Sequence, residues 1–261
     1  MLGFIIIKEL VSVAKASQNR TLWFVSILAY VIFLLAMLPL NIVYQAVNPK
    51  LPIKVVAVTG TLWNGAVIIK HATTGMLDVQ WHLNPASLFI GALSADLKIE
   101  GTLINAQTNL VMSLNGDVSL NDGSAYISSQ VLKKPLQQQR VKVQGDIELS
   151  NLNLVYNMND RQTVEASGRL IWMGGDVQYA KGRKTKHATL PMLVADLSNE
   201  NGELLAAVNT TEGLGLATAN LKADGWAGIA IQKRMIDLLG EPWSAKASAD
   251  SVVFEVSEKV F

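Results

Sequence analysis

Hydrophobic and polar positions follow two different rhythms along this chain. From Leu22 to Leu40 they do not alternate: the run is apolar nearly throughout, and no charged residue occurs between Arg20 and Lys50. As a helix, residues 22–40 reach about 28 Å, close to the roughly 30 Å hydrocarbon core of a bilayer. Trp23 stands at one end and Tyr44 just past the other, where amphipathic rings settle at a membrane interface. Pro39 is a natural helix stop. A buried core helix would carry a polar stripe, and this run has none. A cleaved signal peptide would have a shorter apolar region and small residues at its cleavage site, whereas Tyr44-Gln45-Ala46 offers a bulky Tyr. The pattern predicts an uncleaved transmembrane helix over 21–41. Residues 1–20, with Lys8, Lys15 and Arg20, are expected to be cytoplasmic, and residues 42–261 to form a periplasmic β-rich domain.

From Lys54 onward the rhythm changes to a period of two. Segments 67–69, 76–83, 93–100, 108–114, 117–120, 141–143 and 146–149 read as strands with one apolar face. So do 163–172, 176–179, 190–197, 203–208, 215–222 and 252–256. Glycine-containing steps at 115–117, 144–146 and 201–203 separate such runs and suit tight hairpins. Three segments break the alternation. Asn84-Pro85 up to Gly91 suits a short helix, with an Asn cap, Pro in the first turn and a terminating Gly. Residues 128–139 suit a short outer helix interrupted by Pro135, and residues 229–239 a helix stopped by Gly240 and Pro242. The fold class expected is mainly β: one transmembrane helix, then a large antiparallel meander, as an open curved sheet or a sandwich, with a few short helices.

Composition narrows the functional classes. The chain has 261 residues, no cysteine, a net charge of +1 and only 16% charged residues, against roughly 25% in soluble globular domains. The span accounts for part of that deficit, because residues 41–261, with 19 basic and 20 acidic side chains, remain charge-poor. A disulfide framework, a disordered chain and a nucleic-acid binder with a basic excess are all disfavoured.

Candidate chemistry is sparse. No G-x-S-x-G elbow, P-loop or G-x-G-x-x-G occurs, and the Gly182-Arg-Lys-Thr185 echo of a P-loop lacks its upstream glycine. His71, His82 and His187 have no accompanying carboxylate cluster, and a zinc site needs three or four converging ligands. Neither a catalytic residue, a metal nor a cofactor is expected. The densest basic run, with Lys181, Arg183, Lys184 and Lys186, reads as a solvated hairpin loop and as a candidate contact for anionic lipid or an acidic partner. Trp63, Trp81 and Trp172 have apolar neighbours two positions away and are expected in the core.

The order of motifs resembles one family. Gly60-Thr61-Leu62-Trp63-Asn64-Gly65 is similar to the G-T-L-W-x-G motif of type II secretion system protein N, also called general secretion pathway protein N. The segment through Trp81, Leu83, Pro85, Leu88 and Gly91 resembles that family's V-x-W-x-L-x-P-x-x-L-x-x-G run, and Gly168 to Trp172 its second tryptophan-bearing strand. The resemblance implies an accessory, non-enzymatic inner-membrane component of the Gram-negative machinery that exports folded proteins across the outer membrane. It would act through protein–protein contacts with other secretion components. A looser kinship with AsmA-type envelope proteins implies an alternative: a lipid-handling or outer-membrane maintenance module, with an apolar groove for acyl chains.

Overall fold

A computed structural model describes residues 23–27, 30–31, 33–34, 37–47, 54–138, 140–160 and 162–259. The expected segment 1–20 lies outside these residues, and the expected span 21–41 only partly within them. Residues 23–27 are helical, as are residues 30–31 and 33–34, and a second helix, α1 (Leu40–Val47), follows Pro39. Among the described residues no helix is long and apolar enough to cross a membrane.

Alternation has become a single broad sheet. Its strands are β1 (Lys54–Gly60), β2 (Asn64–His71), β3 (Gly75–Asn84), β4 (Ala92–Gly101), β5 (Ile104–Ser113), β6 (Asp117–Ile127), β8 (Ile147–Asn157) and β9 (Gln162–Trp172). It continues through β12 (Leu193–Glu200), β13 (Glu203–Thr210), β14 (Gly215–Leu221), β15 (Trp226–Gln232) and β16 (Val252–Lys259). These thirteen pair in chain order, every neighbour antiparallel. A second sheet of three strands, β11 (Lys184–Leu190), β10 (Gly175–Lys181) and β7 (Lys142–Val143), is built from two insertions into the meander. One lies between β6 and β8 and also carries helix α2 (Ser129–Gln138); the other lies between β9 and β12. The sandwich alternative gives way to an open sheet.

Register explains why so few side chains are buried. Directly paired residues share a face of a sheet. One row crosses all thirteen strands: Val58, Val67, Val79, Ile99, Ala106, Ala125, Leu149, Leu170, Ala195, Val208, Ala217, Ile231 and Phe254. Every member is apolar. At 4.7–4.9 Å per strand the row runs on the order of 57 Å. Only Ala195 in it is buried; the others are half-buried and Phe254 is exposed. The opposite face is polar across β3 to β6, with Gln80 paired to Lys98, Lys98 to Gln107 and Gln107 to Ser124. Leu216 on β14 is the one large side chain fully buried among the described residues, near helix α3 (Lys233–Leu238), which packs on β14 and β15.

Several sequence expectations are corrected. The turn at 144–146 is no hairpin, because β7 pairs with β10 while β8 pairs with β6 and β9. Residues 229–239 divide: Ile229 and Ile231 complete β15, where pairing on both sides outweighs helical spacing, and only Lys233–Leu238 is helical. The run 190–197 is cut at Pro191-Met192, and Lys184–Leu190 is a strand rather than loop. Its polar sequence hides it, since it pairs with β10 alone.

Other expectations hold. Pro85–Ile90 forms a short 3-10 helix: the Asn84 side chain accepts from the Ala86 N–H, and Gly91 ends it at φ 71°. Asn201-Gly202 turns the β12–β13 hairpin with both residues at positive φ. Ser129–Gln138 is helical with Pro135 inside it.

Candidate functional site

Most of the family-like residues gather at one end of the sheet, and Trp172 stands at the opposite end. In the first cluster, Gly60 pairs with Gly65 across the β1–β2 turn, and Gly65 pairs with Trp81 on β3. The Trp81 indole N–H donates to the Leu62 carbonyl at 2.9 Å, and the Leu83 N–H donates to the Trp63 carbonyl at 2.6 Å. A Cβ on Gly65 would stand 2.5 Å from Trp81 Cζ2 and 2.8 Å from the Thr61 carbonyl oxygen. The ring therefore occupies the space that only glycine leaves open. Thr61 also closes the turn with its hydroxyl, which accepts from the Asn64 N–H at 3.2 Å.

This cluster leads outward. Pro85 opens the short helix, and Leu88, Phe89 and Ile90 project from it, Phe89 at 93% exposure. The Leu114 N–H donates to the Gly91 carbonyl at 3.1 Å, so the next loop tip lies alongside, with Leu114 exposed at 89%. Pro39 forms a backbone bridge with Thr61, which brings the end of the apolar N-terminal run to the same place.

The second cluster is the joint between the two sheets. Trp172, at the end of β9, donates through its indole N–H to the carbonyls of Gln144 (2.8 Å) and Gly145 (3.2 Å). Gly145 has φ 85°, and a Cβ there would meet the Gly174 carbonyl oxygen at 2.1 Å. Beside it, the Asp146 carboxylate accepts from the Tyr126 hydroxyl, the Ser129 backbone N–H (2.8 Å) and the Ser128 hydroxyl (3.3 Å). It thereby caps α2 from a distance. The Tyr126 hydroxyl, foremost, and the Ser129 N–H hold the Asp146 carboxyl below the usual carboxylate range, and the same bond pushes the Tyr126 hydroxyl up. Gly168 belongs to neither cluster: it faces Leu152, which bulges from β8, and a Cβ there would lie 3.2 Å from Leu152 Cα.

All three tryptophans are half-buried rather than core. Trp81 and Trp172 cover glycine turns at the ends of the large sheet instead of filling an interior. The basic run is also rearranged. Gly182-Arg183 is a two-residue turn, and Lys181 and Lys186 converge on Glu241, Lys186 Nζ at 3.7 Å from Oε1. The Tyr179 hydroxyl donates to the same carboxylate at 2.9 Å. Lys181 chiefly, then Tyr179, keeps the Glu241 carboxyl below its ordinary value. Arg183 and Lys184 make no ion pair among the described residues.

His71 Nδ1 accepts from the Thr73 N–H at 3.3 Å within the β2–β3 turn, while His82 lies on β3 and His187 on β11. Among the described residues no three His, Asp or Glu side chains converge as metal ligands. Two features escape sequence reasoning. One is the thirteen-residue apolar row, invisible without the register. Across β4, β5, β6 and β8 it opens into a groove of about 160 Å³ lined by Leu97, Ile99, Ala106, Leu120, Leu149 and Leu152, among others. The other is the edge at β16: like β1 it has a neighbour on one side only among the described residues, and Val252, Phe254 and Val256 along it are exposed.

The fold thus defines a protein built on one broad antiparallel sheet, with a small second sheet, a half-buried apolar face and an edge strand open among the described residues. The family model "Type II secretion system (T2SS), protein N" matches residues 52–237, from just ahead of β1 into α3. The chain belongs to that family, and so to the components of type II secretion, whose other members it is expected to meet. No curated protein and no solved structure matches it.

Proposed function

We propose that the protein is an accessory inner-membrane component of type II secretion, anchored by residues 21–41 with residues 42–261 in the periplasm. It works without a catalytic centre or cofactor, through protein–protein contacts of the sheet. The family match over 52–237 carries this reading. The anchor is supported by the exposed apolar side chains of Trp23, Phe24, Tyr30, Phe33 and Met37 and by the uncharged stretch between Arg20 and Lys50. The contact mode favoured is strand addition at β16, whose outer backbone groups are unpaired among the described residues and whose apolar side chains are exposed. Photo-crosslinking in cells from Phe254 should capture another secretion component, and deletion of the gene should lower export of type II substrates. Unchanged export and unchanged levels of the other machinery proteins in the deletion strain would sink the proposal.

One observation favours a second reading, an AsmA-like lipid-handling module. The apolar row has no polar member and is only half-buried, as a trough for acyl chains would require. Mass spectrometry of the purified full chain distinguishes the two. Stoichiometric phospholipid that disappears on Ala106→Asp and Ala125→Asp substitution supports lipid handling; lipid retained equally by that variant argues against it.

A further inference from the structure

We infer that the end of the sheet carrying the β1–β2 turn, the short helix and the β5–β6 turn is a second membrane contact. Its tips, Phe89, Ile90 and Leu114, enter the interface of the same leaflet from which the anchor emerges. The inference rests on the anchored reading above and adds to it an orientation of the whole sheet.

Four observations converge. First, Phe89, Ile90 and Leu114 are exposed at 93%, 82% and 89%, the highest values among the large hydrophobic side chains described. They sit side by side, because the Leu114 N–H bonds the Gly91 carbonyl at 3.1 Å and a Cβ on Gly91 would lie 2.9 Å from Leu114 Cδ1. Second, residues 60–65, 85–91 and 114–116 contain no charged side chain, and the carboxylate next to them, Asp117, accepts from the Asn115 and Asn157 amides at 2.6 and 2.7 Å. Third, the patch is beside the anchor's exit. Pro39 is bridged to Thr61, Leu62 accepts from Trp81, and Trp63 bonds Leu83 just before the short helix. A chain leaving the bilayer at Pro39 holds this end near the headgroups. Fourth, the other end of the same strands is polar and charged. There the β2–β3 turn follows Lys70-His71, and α2 brings Lys134, whose Nζ bonds the Ala72 carbonyl at 3.1 Å. An apolar, uncharged set of tips on the anchored side is what interfacial insertion selects. A protein partner would not require the patch to coincide with the exit point.

The test uses the full chain, which contains no cysteine, so single cysteines can be labelled without altering the background. Phe89→Cys, Leu114→Cys, Ala72→Cys and Tyr30→Cys are each labelled with an environment-sensitive fluorophore. Each is reconstituted in vesicles of phosphatidylethanolamine and phosphatidylglycerol containing spin-labelled lipid. Ala72 is a strand's length from the tips, roughly 25 Å. The expected result is emission shifted to shorter wavelength and quenching by the lipid label at positions 89 and 114, deeper quenching at position 30, and none at position 72. Quenching at position 30 with positions 89 and 114 still open to aqueous iodide overturns the inference and leaves the anchor standing. Positions 89 and 114 shielded from both quenchers mean that a second copy covers the patch, which also overturns it. Loss of lipid quenching at position 30 removes the anchored reading and the inference with it.

Discussion

Trp81 and Trp172 perform the same local act at opposite ends of the sheet, yet they join different things. Each lays its ring over a glycine and donates its indole N–H to a turn carbonyl, Leu62 in one case and Gln144 with Gly145 in the other. The Trp81 clasp folds the first hairpin back on its neighbour strand, within the meander. The Trp172 clasp fastens two of the points where the chain passes between the large and small sheets, since Gly145 follows β7 and Gly174 precedes β10. The difference teaches that one device is local reinforcement in the first setting and a structural joint in the second, so its loss should propagate unequally.

The sharpest way to break this comparison is Gly145→Ala. Its new methyl would lie 2.1 Å from the Gly174 backbone oxygen and 2.8 Å from Trp172 Nε1 at φ 85°, and the clash with main chain cannot be relieved by a side-chain movement. A loss of about 3 kcal/mol or more is expected in denaturant unfolding of the full chain, and proteolysis should first release the small sheet. Wild-type stability with an intact small sheet would show that the joint has slack the geometry denies.

Gly65→Ala ranks next. Its Cβ would meet the Trp81 ring at 2.5 Å and the Thr61 carbonyl oxygen at 2.8 Å, but the ring can swing outward because it is only half-buried. A cost of about 2 kcal/mol is expected. Combining it with Trp81→Ala should cost less than the two single changes summed, as neighbours sharing one clash do. Strict additivity in the double-mutant cycle would mean that ring and glycine do not meet.

Smaller still are Trp81→Phe and Trp172→Phe, which keep an aromatic ring and remove the donor. About 1 kcal/mol each is expected, with Trp172→Phe the larger because its N–H serves two carbonyls. Equal midpoints in parallel unfolding curves would erase the distinction between clasp and joint.

How much of this can be read beforehand differs between the two clasps. Period-two alternation announces most of the meander, and Asn84, Pro85 and Gly91 announce the short helix, because caps and proline act within a few residues. The first clasp is nearly legible too: its partners are close in sequence and its turn is hydrogen-bonded locally. The joint is not. β7 is two residues long, β11 is polar because it pairs only with β10, and Gly145 looks like any hairpin glycine until one knows that β8 pairs elsewhere. The apolar row escapes for a related reason. Each strand shows several apolar positions, and only the pairing of all thirteen tells which of them align. The tryptophans mislead because apolar neighbours two residues away describe a face of a sheet equally well whether or not another layer covers it.

The smallest expected effect separates the clasps by chemistry rather than by size. The joint has a carboxylate beside it and the first clasp has none among its hydrogen bonds. Asp146 is held below the usual carboxylate range by the Tyr126 hydroxyl and the Ser129 N–H, so its folded value lies under its unfolded one. A depressed carboxyl contributes stability that is present above the unfolded value and is lost as pH falls through the folded one. Glu241, depressed by Lys181 and Tyr179, acts in the same direction where the β10–β11 hairpin meets the segment after α3. Acid should therefore loosen α2 and the small sheet before the β1–β3 end. Amide exchange at Ser129 should speed up, relative to Leu83, as pH falls below the ordinary carboxylate range. Asp146→Asn should flatten that difference, since it retains an acceptor for the Ser129 N–H and removes the titration. Parallel acid responses of Ser129 and Leu83 in the wild type would mean that the carboxylate is a bystander and that the indole and the glycines alone close the joint.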